Sequence, residues 1–148
     1  MYIHWQRTFL HPQLLAFDAP SREECTARRP ISNTPKAALT LLNDPTFVEA
    51  ARVLAENVVR HGGGSVEERL RWAFRQVLAR APTGEEASLL GDVLNRHKQH
   101  FADSPQAVKE VMQVGQHPAP DSLPLSEVAA WTSVARVLLN LGETTMRE

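Results

Sequence analysis

Cysteine occurs once in these 148 residues, as Cys25, so no disulfide can form within the chain. Tyrosine also occurs once, and aromatic residues make up only 6%. Trp5, Trp72 and Trp131 are too dispersed to form a platform for stacking sugars or bases. No apolar run approaches the length of a membrane span. The net charge is -1, so no global field draws the chain to nucleic acid or an anionic membrane. The patterns GxGxxG, GxxxxGK[ST], GxSxG, HExxH and CxxCH are all missing. The opening "MYIHWQRTFLHPQ" lacks the basic start and apolar block of a secretory leader. No stretch alternates apolar and polar residues as a strand would.

What the chain has is proline-marked helix starts. Thr34-Pro35 and Asp44-Pro45 each pair a capping side chain with the residue best suited to the first helical position. They predict two helices in series, over about Pro35–Leu42 and Pro45–Arg60. The second places Phe47, Ala51, Leu54 and Val58 on an apolar stripe. Glu49, Arg52, Glu56 and Arg60 lie along its other side. Gly62, Gly63 and Gly64 end it. Ser65-x-x-Glu68 and Thr83-x-x-Glu86 are capping boxes. They predict helices to about Arg80 and about Phe101. Ser104-Pro105 opens a shorter helix that stops near Gly115. The most apolar helix spans about Pro124–Leu141, with Trp131 as core and Gly142 as cap. The first 33 residues carry no sustained period and are broken by Pro12, Pro20 and Pro30. They read as a short element near Tyr2–Phe9 and an irregular arm. Trp5, Phe9, Leu14, Leu15 and Phe17 imply that this arm rests on other structure. The expectation is therefore an all-α fold. Five to six helices form a compact bundle over residues 34–148, and residues 1–33 form an irregular arm.

Candidate chemistry is sparse. His97 and His100 stand i,i+3 and are candidate metal ligands, but a helical pair needs further donors. The pattern favours His97 at the core edge and His100 in solvent, with no metal. Cys25 has Arg22, Arg28 and Arg29 nearby, which would favour a thiolate, while Glu23 and Glu24 oppose it. Those arginines could also grip a phosphate or carboxylate, against simple pairing with Asp18, Glu23 and Glu24.

One long string carries a likeness. "FDAPSREECTARRPISNTPKAALTLLNDPTFVEAAR" (17–52), "RAPTGEE" (80–86) and "AAWTSVARVLLNLGE" (129–143) resemble a planctomycete-specific domain family of unknown function, numbered fifteen fifty-three. The sequence departs from that pattern at Ser32, at Lys36-Ala37 and over "LGETTMRE". The resemblance implies the C-terminal portion of a longer exported protein, with cytochrome-c-like domains upstream. It brings no reaction and no cofactor. The leading expectation is a helical structural or interaction module that packs on upstream domains or on a protein partner. The alternative is part of an enzyme site, with Asp18, Cys25, Arg28 and Arg29 on one wall. A third reading is carbohydrate binding.

Overall fold

The structure is a computed structural model that describes residues 9–20, 25, 27 and 34–145. The expected element near Tyr2–Phe9 falls outside these residues apart from Phe9. Among the described residues there are helices and no strands. The helices are α1 (Pro12–Ala16), α2 (Pro35–Asn43), α3 (Pro45–His61), α4 (Val66–Leu78), α5 (Gly84–Asp103), α6 (Pro105–Met112), α7 (Leu125–Leu139) and α8 (Gly142–Thr145).

The all-α expectation holds, but eight helices among the described residues replace the expected five or six. The two extra ones are short. The arm is not wholly irregular, because Pro12 starts α1 and the His11 imidazole accepts from the Gln13 N–H. Gly142 does not cap α7. Asn140 does, and Gly142 begins α8.

The predicted starts are made by local bonds. The Thr34 hydroxyl accepts from the Ala37 N–H, and an Asp44 carboxylate oxygen accepts from the Thr46 N–H. Asp44 ends α2 and caps α3, which makes it the corner between them. Both capping boxes close, Ser65 with Glu68 and Thr83 with Glu86.

Helix α7 is the central element. It makes its most extensive contacts with α3 and α5, and it also touches α2, α4, α6 and α8. Eight of its fifteen residues are buried, which fits its apolar sequence. Trp131 is 1% exposed and packs in one cluster with Phe74, Leu70, Leu94, Val58 and Leu138. Its indole N–H is buried and finds no acceptor among the described residues. The neighbours in that cluster are apolar, so a burial that sequence logic would match with an acceptor goes unmatched here.

An ion-pair network closes the far end. Arg80 donates to both Glu86 oxygens (2.7 and 2.8 Å) and reaches Glu143 on α8 at 2.8 Å. Its guanidinium carbon lies 5.4 Å from the centre of the Phe74 ring. Arg80, followed by the Thr83 N–H, holds the Glu86 carboxyl at about 2, down from an ordinary 4.5. Arg80 also lowers Glu143.

Two outcomes follow from this packing. Leu94→Ala, at a fully buried site, should lower stability by about 2–5 kcal/mol, measured by chemical denaturation. Glu86 is more acidic folded than unfolded, so its stabilisation is complete above about 4.5 and fades as pH falls towards about 2. Glu86→Gln should therefore flatten the acid limb of a plot of stability against pH between those values.

Candidate functional site

Two regions gather polar and exposed apolar groups in ways that packing alone does not require. The first is the face where the arm meets the α2–α3 corner. Helix α1 lies against α2. The Phe17 and Phe47 rings meet edge-on, with centroids 5.7 Å apart. Partial burial pushes the Asp44 carboxyl up. Hydrogen bonds from the Gln13 side chain and from Thr46 outweigh it and hold the group below its usual value. Asp44 thus caps a helix and also fixes the arm. Between α1 and α2 runs an open groove of about 560 Å³, bordered by His11, Pro12, Gln13, Lys36, Leu39 and Asn43. Large apolar side chains stay exposed in this part of the chain: Phe9 at 68%, Leu15 at 53% and Leu39 at 59%.

The second region lies on α3. Sequence periodicity put Arg52 and Glu56 on a solvent-facing side. That expectation is overturned, since Arg52 is 0% exposed and Glu56 3%. The connection between α6 and α7 crosses this side of the helix and covers it. One Arg52 terminal nitrogen donates to Glu56 at 2.9 Å and to the Pro118 carbonyl at 3.3 Å. The other donates to the His117 carbonyl at 2.6 Å. Its Nε is buried without a partner. One turn earlier, a single Glu49 oxygen accepts from the Gln116 N–H (3.1 Å) and the His117 N–H (2.6 Å). His117 Nε2 stands 3.4 Å from the second Glu56 oxygen. Gly115, at φ +86°, lets the chain turn here, and a Cβ at that position would run into the Glu49 carboxylate. Adjacent N–H groups converging on one carboxylate form an anion nest whose anion is built into the chain.

The residues singled out from sequence are distributed as follows. Asp18 follows α1 with φ +52°, in the left-handed region that Asp tolerates better than most residues. Cys25 is exposed and not disulfide-bonded. Arg22, Arg28 and Arg29 lie outside the described residues, as do Glu23 and Glu24. His97 is half-buried and stacks on Phe101, with ring centroids 6.0 Å apart, and its Nδ1 has no partner. Burial, followed by the positive charges of His100, Arg96 and Arg136, lowers its pKa. His100 is exposed and meets the Phe101 ring edge-on at 5.2 Å. Among the described residues, no group of three or more His, Cys, Asp or Glu side chains could hold a metal ion. No helix there is long and apolar enough to cross a membrane. The Glu49–Arg52–Glu56 cluster escaped sequence reading because its partners lie more than sixty residues away along the chain.

The family model PSD1, described as "Protein of unknown function (DUF1553)", matches residues 1–94. The chain belongs to this family. The match ends within α5, short of the near-complete likeness read from sequence. No curated protein and no solved structure matches the chain. Within the part shared with DUF1553 proteins, Asp44, Glu49, Arg52 and Glu56 all serve as structural joints.

Arg52 cannot shed its charge, so removing its partner or its head group should be costly. Arg52→Ala should destabilise by about 3–5 kcal/mol, because Glu56 is left buried and uncompensated. Arg52→Met combined with Glu56→Leu should cost far less than Arg52→Ala. Equilibrium unfolding of the two variants beside the parent chain measures the difference.

Proposed function

We propose that this chain is a helical interaction module whose arm–α2 face docks against preceding domains of a longer polypeptide. One observation carries the reading. The arm is fastened to the α2–α3 corner through Gln13, Asp44, Phe17 and Phe47, yet Phe9 and Leu15 on the arm and Leu39 at the open groove remain exposed. Holding a short arm in place costs conformational entropy, and leaving its leucine in water recovers little of it. A covering partner accounts for both. The source of that partner follows from the family resemblance, which implies an exported, multidomain, planctomycete protein with this module near its end. Single exposed apolar residues are common on protein surfaces, so the argument rests on two of them lying on the fastened arm and a third at the groove.

A second reading keeps Asp18, Cys25, Arg28 and Arg29 as one wall of an enzyme site completed by upstream domains. Its support is the left-handed Asp18 backbone and the exposure of Cys25, since sparsely populated conformations gather at functional sites. Carbohydrate binding draws less support, with Trp131 buried and Trp72 half-buried.

Hydroxyl-radical footprinting tests the docking reading. In the intact parent polypeptide, Phe9, Leu15 and Leu39 should be labelled several-fold less than in the isolated 148-residue chain. Leu89, which is exposed on α5, should be labelled equally in both. Equal labelling of all four would overturn the reading, as would a gene product that begins at Met1.

A further inference from the structure

The connection between α6 and α7 is attached to the protein in an unusual way. Residues 115–119 are all exposed. No backbone–backbone hydrogen bond joins residues 115–123 to any helix or to other described parts of the chain. Their polar contacts with other elements are hydrogen bonds with the side chains of Glu49 and Arg52 and a 3.4 Å approach of His117 Nε2 to Glu56, all three on α3. On either side the chain is held by packing instead. Met112 and Pro120 are buried, and Leu123 packs on the core cluster. The segment therefore has two fixed ends and a middle fastened only by polar side chains from one helix face.

We propose that residues 115–119 are a strap that lifts from α3 as a unit, with Glu49 as its latch, and that lifting uncovers Arg52. Nothing in the helical core need break for this to happen. When the strap leaves, water can take over every hydrogen bond it gives up. Gln116 and His117 lose the Glu49 carboxylate together, because one oxygen serves both N–H groups. The terminal nitrogens of Arg52 lose the His117 and Pro118 carbonyls in the same movement. The shared anchors make the opening two-state. Closed, the guanidinium is fully covered. Open, it presents its freed donors to solvent and keeps Glu56 as its partner. Local opening of this kind lies below global unfolding in free energy, since few apolar contacts are lost. The proposal is independent of the arm–α2 docking face.

Native-state hydrogen exchange on the 148-residue chain tests it. The Gln116 and His117 amides should exchange at rates that hardly change with low denaturant, while exchange of the α7 amides should quicken with the full unfolding slope. Glu49→Ala should speed exchange at both strap amides by about 10- to 100-fold, the worth of a hydrogen bond to a charged acceptor. Glu49→Gln should fall between that variant and the parent. Protection of the α7 amides should persist in both variants, which shows that they are folded. An arginine-directed dicarbonyl reagent should modify Arg52 in the folded parent chain, and faster in Glu49→Ala. Strap amides that share the denaturant dependence of α7 would overturn the proposal. So would strap exchange unmoved by Glu49→Ala, or an Arg52 that reacts only on global unfolding.

Discussion

A guanidinium with no exposure at all sets the terms for this fold. Arginine stays charged at any pH a protein survives, so burying Arg52 obliges the chain to bring acceptors to it. Glu56 supplies the charge from the next turn of α3. The carbonyls come from His117 and Pro118, on the far side of three intervening helices in sequence. The route from α6 to α7 must therefore cross α3 at this point. That crossing delivers the start of α7 beside α3 and lets α7 fill the space between α3 and α5. A buried pair of this kind adds little net stability compared with well-packed apolar residues. What it supplies is geometry, because it favours a path of the connection that brings the His117 and Pro118 carbonyls to Arg52.

The division between what the sequence discloses and what it hides follows interaction range. Thr34, Asp44, Ser65 and Thr83 announce helix starts because each bonds to a backbone N–H two or three residues away. Those four predictions hold. The apolar stripe of α7 is also local, and it identifies the central helix. Arg52 and Glu56 were misassigned because periodicity sees only the helix that carries a residue. It puts charges on a wet face unless something covers that face, and the cover here is sixty-five residues downstream. Helices α1 and α8 were missed for a related reason. Five and four residues are too few to show a period. As for sites, Asp18 and Cys25 were named from composition and likeness, whereas the groove beside α1 exists only once the arm has folded onto α2.

The residues 43–52, "NDPTFVEAAR", carry much of the resemblance to DUF1553 proteins, and the structure gives most of its polar letters a mechanical task. Asp44 caps α3 and takes the Gln13 side chain. Phe47 receives Phe17. Glu49 holds two strap amides, and Arg52 holds two strap carbonyls. With the strap closed, a carboxylate shared by two N–H groups is poorly placed to act as a base, and the Arg52 guanidinium is covered. The signature therefore reads as a joint between an arm, a helix and a strap.

One helix carries both attachments, which raises the question of whether they communicate. The arm is tied to the first turn of α3 through Asp44 and Phe47, and the strap to the next two turns through Glu49, Arg52 and Glu56. Transmission would need α3 to slide or rotate against its neighbours. Buried Ala51 and Ala55 lie on this helix, whose most extensive contact is with α7. Small side chains permit close approach, and a closely packed pair of helices has few alternative arrangements within reach. Coupling between sites requires an element with two discrete states that both sites bias. The close packing of α3 on α7 disfavours such a second state. On this packing the arm face and the strap should act independently, so that occupying the groove leaves exchange of the strap amides unchanged.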